Sequence, residues 1–174
     1  MESIILNNRK RLFIFLLALV AVNTNAMSKL DIGDIPPNYL GENREGVKVN
    51  LADNKGKIVI ISFWASWCAP CLKELPILEE IQTTLGKDKI QVVAVNFKES
   101  RKQYRSIKKQ LSALALTLTH DKRGNLGSKF GVEGIPHLFI VGKNGELIYQ
   151  SVGYGDSSRE KIVNILNKEL SNKS

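Results

Sequence analysis

Beyond residue 26 two largely apolar runs stand out, Ile58–Phe63 and Ile90–Asn96, and short runs of this kind bounded by turn-forming stretches read as buried strands. Between them the pattern predicts a helix from about Pro70 to Leu85, broken or bent near Pro76, because proline removes a hydrogen bond and crowds the preceding turn. After the second run, Tyr104, Ile107 and Leu111 recur at helical spacing while Arg101, Arg105 and Lys108 line another face. Leu114, Leu116 and Leu118 then alternate with Ala115, Thr117 and Thr119 as a third strand. A short helix near Leu126–Phe130 leads to Gly134-Ile135-Pro136 and a strand at Leu138–Val141. Asn144-Gly145 signals a hairpin, with Glu146–Ser151 as its return arm. Ser157-x-x-Glu160 reads as a capping box opening a last helix whose Ile162, Ile165, Leu166 and Leu170 share one face. Upstream, a polar segment with Pro36-Pro37 and Gly41 precedes Val47–Leu51, which alternates like an edge strand or hairpin arm, and a turn at Asp53–Gly56. Strands alternating with helices and closing in a hairpin plus helix describe an α/β sandwich with a central mixed sheet.

The amino terminus bears on the compartment. Arg9-Lys10-Arg11 precedes eleven residues without a polar group, Leu12–Val22, and then Asn23-Thr24-Asn25-Ala26. This is the layout of a signal peptide, with cleavage expected after Ala26. The apolar stretch is well short of the roughly 20 residues that span a bilayer. Residues 1–26 are therefore expected to be a signal peptide, with retention as an N-terminal membrane anchor as the alternative, and residues 27–174 a single domain. Losing Arg9, Lys10, Arg11 and Glu2 leaves 22 Lys+Arg against 16 Asp+Glu, or +6 for the remaining chain. The excess lies largely in Lys98–Lys109 and reads as a solvated helix face, or as contact with an acidic partner or anionic headgroups. The aromatic residue of this segment, Tyr104, falls on the apolar face with Ile107 and Leu111 and not in the basic stripe, and with the exported compartment this argues against nucleic acid.

The candidate chemistry is at Trp67-Cys68-Ala69-Pro70-Cys71, which holds both cysteines of the chain at the junction of the first apolar run and the first helix. Two intervening residues put the sulfurs about one helical turn apart, within reach of a bridge. At a helix start, free N–H groups and the positive end of the dipole favour the Cys68 thiolate, the attacking species in thiol/disulfide exchange. Cys71, one turn further in, reads as its resolving partner. Pro70 costs no hydrogen bond in a first turn and stiffens the loop. A bridge closing so small a loop is a poor structural staple. With His120 and His137 the cysteines do not form the paired spacing of a zinc module, so neither metal nor cofactor is expected.

Phe63-Trp64-Ala65-Ser66-Trp67-Cys68-Ala69-Pro70-Cys71, followed by Glu74-Leu75-Pro76, and Gly131-Val132-Glu133-Gly134-Ile135-Pro136 before a strand and an Asn-Gly hairpin, resemble the thioredoxin superfamily. Within it the chain is similar to the exported TlpA/ResA-like thiol-disulfide oxidoreductases over about residues 30–170, including their extra helix, here the basic one. The resemblance implies a thioredoxin-like sandwich with an N-terminal β extension and a dithiol/disulfide pair that works as a reductant of disulfides in exported proteins, often for cytochrome c maturation, recharged by a membrane thiol donor. The partners it implies are proteins bearing thiols or disulfides. An oxidising or isomerising enzyme of the same fold and a redox-inert binding module are the alternatives.

By the same resemblance, Cys68 matches the exposed nucleophile and Cys71 the resolving thiol. Glu74 matches a partly buried glutamate that handles their protons, the alternative being a solvated helix-surface carboxylate. Thioredoxins proper carry a buried aspartate where this chain has Ser62, which shifts base work to Glu74. Pro136 matches a cis-proline facing the cysteines, leaving the Ile135 backbone free to pair with an extended substrate. Trp67, Ala69 and Pro70 complete the expected substrate surface. His137 either tunes local charge or points to the other sheet face.

Overall fold

The computed structural model describes residues 29–172; the expected signal peptide lies outside them. Seven strands, four α-helices and two 3-10 turns follow one another in the described chain. β1 (Tyr39–Glu42) and β2 (Lys48–Asn50) form a small antiparallel pair. The main sheet comprises β3 (Ile58–Trp64), β4 (Ile90–Phe97), β5 (Thr117–Asp121), β6 (His137–Val141) and β7 (Leu147–Val152), in the order β5-β4-β3-β6-β7. β4 runs parallel to β3 and β5, whereas β6 is antiparallel to both β3 and β7. This is the mixed sheet expected from the alternating pattern. The helices are α1 (Ala69–Leu85), α2 (Arg101–Gln110), α3 (Asn125–Lys129) and α4 (Ser158–Ser171). Among the described residues no helix is long and apolar enough to cross a membrane.

Every residue of β3 is buried, which is why its sequence shows no polar alternation. Ile58, Ile60 and Trp64 face one core with Leu75 and Leu78 of α1 and Ile162 and Leu166 of α4, and both cysteines belong to that core. Val59, Ile61 and Phe63 face the opposite core, where Phe63 packs between Phe97, Phe130 and Phe139. The two cores have different chemistry: the first holds the sulfurs and the second is aromatic.

Four details depart from the sequence pattern. The third strand starts at Thr117 rather than Leu114, because Leu111–Ala113 form a 3-10 turn and the Ala115 carbonyl accepts a hydrogen bond from the buried Gln82 side chain of α1 at 2.8 Å. Gln82 also accepts from the Val92 N–H at 2.7 Å, so a single amide pins α1 to two segments. α1 is one continuous helix through Pro76, not a broken one. Ser157 makes no side-chain cap on α4; instead the Ser158 hydroxyl accepts from the Gly155 N–H at 2.9 Å. The hairpin forms as expected, but Gly145 alone takes a left-handed φ of 91°, the signature of a longer loop with a bulge rather than a two-residue turn.

β1 was hidden by the Pro36-Pro37 and Gly41 context, yet Gly41 is what lets it dock. Its φ is 105°, and a Cβ there would stand 2.8 Å from the Thr119 Cβ, while the Thr119 hydroxyl donates to the Leu40 carbonyl at 2.7 Å. Gly127 plays a similar part in α3: an added Cβ would sit 2.2 Å from Cε2 of Phe97, whose ring packs edge-on against Phe63. Gly127→Ala is expected to destabilise the fold by about 1–3 kcal/mol through overpacking, read as a lowered urea midpoint at unchanged slope.

Candidate active site

Cys68 is the N-cap residue of α1, with extended backbone angles (φ −89°, ψ 96°), and Ala69 and Pro70 fill the first turn. Its Sγ accepts the N–H of Cys71 at 3.2 Å, so a helix-start donor left without a backbone partner points at sulfur. Cys68 and Cys71 are joined in a disulfide with their Cα atoms 5.2 Å apart. Neither sulfur is freely exposed in this state: Cys68 is 5% exposed and Cys71 0%. The exposed nucleophile expected at Cys68 is therefore buried in the disulfide form, because its sulfur turns inward to bond Cys71, and only a small edge of the residue remains at the surface. Trp67, 69% exposed, stands immediately before it, and Ala69 and Pro70 are exposed immediately after.

One turn beyond Cys71, Glu74 is 1% exposed, which excludes a solvated surface carboxylate. Its Oε2 accepts from the Ser62 hydroxyl at 2.7 Å. Burial raises its pKa to about 7, and the Ser62 hydrogen bond offsets part of that rise. The β3 position that holds an aspartate in thioredoxins proper therefore still serves the carboxyl group, now as a donor to one on the helix. Glu74 has a further neighbour in half-buried Tyr154, whose hydroxyl is held above its ordinary pKa first by burial and then by the charge of Glu74.

The Ile135–Pro136 peptide is cis, and Ile135 packs against both cores, the one that contains both cysteines and the aromatic one. The Pro136 carbonyl accepts from Gly153 N–H at 2.8 Å, while neither backbone group of Ile135 has a backbone partner among the described residues. Pro136 itself is buried, so the side-chain surface at this loop belongs to half-buried Ile135 and to Val152, exposed on the neighbouring strand. His137 points to the other sheet face: it is buried and its ring stacks on Phe139 at 4.2 Å in the aromatic core. Burial lowers its pKa, so it is neutral at pH 7 and set apart from the sulfurs by the sheet.

Glu99 was missed by the sequence reading, which grouped its segment with the basic helix. It is buried, and its carboxylate accepts from the Ser66 N–H at 2.8 Å, from the Ser66 hydroxyl and from the Asn96 side chain. These bonds tie the Ser66-Trp67-Cys68 loop to the end of β4. The signal available in the sequence was a carboxylate closely following an apolar strand that ends in Asn96. The groups present are a disulfide at a helix start, a buried acid titrating near neutrality and a cis-proline loop whose Ile135 backbone has no backbone partner among the described residues, a set suited to thiol/disulfide exchange.

The Redoxin family profile matches residues 32–166. The chain belongs to that family. Its relatives include the thiol-disulfide oxidoreductase ResA of Bacillus thuringiensis subsp. konkukian, 31% identical over 80% of this chain and 79% of ResA. The thioredoxin-like protein YneN of Bacillus subtilis is 31% identical over 75% of each chain. Among solved structures, one from Chlorobium tepidum assigned to thiol:disulfide interchange protein DsbE superposes with a TM-score of 0.72 at 31% identity, covering 82% of this chain and all of that one. This Redoxin-family chain is thus a ResA-like thiol-disulfide oxidoreductase with a thioredoxin fold.

Proposed function

We propose that this oxidoreductase reduces disulfides in exported proteins, with Cys68 as nucleophile and Cys71 as resolving thiol. The observation that carries this reading is the Cys71 N–H directed at Cys68 Sγ at the start of α1, a donor that stabilises negative charge on that sulfur when the bridge is open. In the forward step Cys68 thiolate attacks a substrate disulfide, forms a mixed disulfide and releases one substrate thiolate. Cys71 then attacks Cys68 Sγ, its proton passing to the Glu74 carboxylate, and the second substrate thiolate leaves. The substrate gains two electrons and the enzyme ends as the Cys68–Cys71 disulfide. Trp67, Ala69 and Pro70 form the apolar floor of the substrate surface, and the free backbone of Ile135 pairs with the substrate strand.

Residues 1–26 take the domain across the membrane as a signal peptide or hold it there as an anchor, and a membrane thiol donor reopens the disulfide. Among exported substrates, apocytochrome disulfides, opened to thiols before haem attachment, fit the resemblance to the TlpA/ResA-like oxidoreductases. No cation or histidine lies between the cysteines to deepen thiolate stabilisation, which favours reduction over oxidation. Equilibration against glutathione buffers checks the direction. A reductant remains largely disulfide-bonded against the glutathione couple, whereas a potential above about −200 mV places the chain among oxidases or isomerases instead.

A further inference from the structure

Four cations, Arg101, Lys122, Arg123 and Lys129, line one cleft of about 610 Å³ at the end of β5, together with His120. All four are exposed. Among the described residues the salt bridge is Arg159–Glu80, remote from this cleft, so none of the four is held in an ion pair. The carboxylate that lines the cleft, Asp121, is buried and accepts the Gly127 N–H at 2.8 Å, and the rim adds Tyr39. With four cations against one carboxylate, the hollow therefore carries a net positive field. Folding does not ask for this arrangement: Arg101 opens α2, whose first turn holds no acidic residue, and a cation there opposes the helix dipole.

The position of the cleft gives the charge a use. Trp64, Asn96 and His120 are register partners across β3, β4 and β5, one row at the end of the sheet that leads into the Cys68 loop. His120 Nε2 meets the Glu99 carbonyl at 2.9 Å, and the Glu99 carboxylate holds Ser66. β5 is two strands from β3, about 10 Å, a gap that about three or four extended residues span. A protein whose disulfide lies at Cys68 can thus lay its flanking chain over the cleft.

We propose that this cleft docks an acidic segment flanking the disulfide of the protein substrate, a proposal that rests on the redox reading of the Cys68/Cys71 site. Carboxylate side chains reach into a hollow between α2, α3 and β5, whereas a planar lipid surface meets its ridges first. Arg and Lys clusters in recessed sites are a recurring means of holding acidic motifs.

The test uses two synthetic peptides with the same disulfide, one flanked by aspartate and glutamate and the other by serine and glycine. The native chain is expected to reduce the acidic peptide with a kcat/KM about tenfold higher at low salt, the gain residing in KM. At about 0.5 M salt the two should converge, as screening removes the field. Lys122→Gln/Arg123→Gln/Lys129→Gln should lose the preference yet keep the rate on the neutral peptide, and the charge-conserving Lys122→Arg/Lys129→Arg should retain the preference. Equal rates in the native chain at low salt overturn the docking proposal and leave the redox reading intact; no turnover of either peptide overturns the redox reading itself. A triple variant that loses both rates equally also overturns docking, because the cations then serve the fold. Binding to phosphatidylglycerol vesicles without any peptide preference reassigns the cleft to lipid and overturns it as well.

Discussion

Cys68→Ser is expected to lower the rate of insulin-disulfide reduction by at least about 10³-fold, because a serine hydroxyl at its ordinary pKa supplies almost no nucleophilic anion and cannot form the mixed disulfide. Cys71→Ser separates the two sulfurs. In that variant the first attack still occurs at the helix start, but resolution has no thiol, so a mixed disulfide between Cys68 and the substrate accumulates and is seen on non-reducing gels. Burial supports this division: Cys71 has no surface with which to meet a protein disulfide, and Cys68 retains an edge. Identification of the trapped proteins then tests the substrate class, apocytochromes supporting haem-delivery work and a broad mixture of exported proteins supporting general thiol maintenance. Undiminished insulin reduction by Cys68→Ser would remove this sulfur from the chemistry.

What the sequence made legible follows the range of the interactions involved. The Cys68/Cys71 pair is local: a buried strand, a helix start and a spacing of three positions lie within one short stretch, and all appear in the residue pattern. The cis bond at Ile135–Pro136 and the placement of Glu74 came from motif resemblance; the structure has the cis bond, with Ile135 packed against both cores, and buries Glu74 against Ser62. The environment of Glu74 was not legible, since its hydrogen-bond partner Ser62 sits on another element. Glu99 was obscured further: its partner Ser66 is 33 residues away, and a carboxylate beside Lys98 and Arg101 looks like part of a solvated face until β3 and β4 are set in register. β1 was missed because proline and glycine depress strand propensity locally, whereas its docking depends on Thr119 across the molecule. Apart from β1, the sequence pattern reports a residue's own element well and its distant partners poorly.

Glu74→Gln tests proton handling through two readouts of opposite sign. Glu74 titrates at about 7 in the disulfide form, against 4.5 ordinarily. Its folded pKa is raised, so between these values the native state binds more protons than the unfolded one and stability falls as pH rises. The contribution is fully present below about pH 4.5 and lost by the time pH passes 7, a span of about 3 kcal/mol for a fully buried group. A neutral amide of similar shape does not titrate. The oxidised Glu74→Gln protein should therefore match the native protein near pH 4.5 and exceed it by up to about 3 kcal/mol at pH 8, as read by urea denaturation. Activity moves the other way. Removing a base that accepts the Cys71 proton should lower kcat by about 10²-fold and erase the rise in rate near pH 7. A residue serving only the fold would move stability and leave the pH profile in place. A Glu74→Gln enzyme that keeps the native profile would therefore sink the proton-transfer role. A more stable but slower enzyme is the pattern expected of a carboxyl group buried against its own solvation for the sake of catalysis.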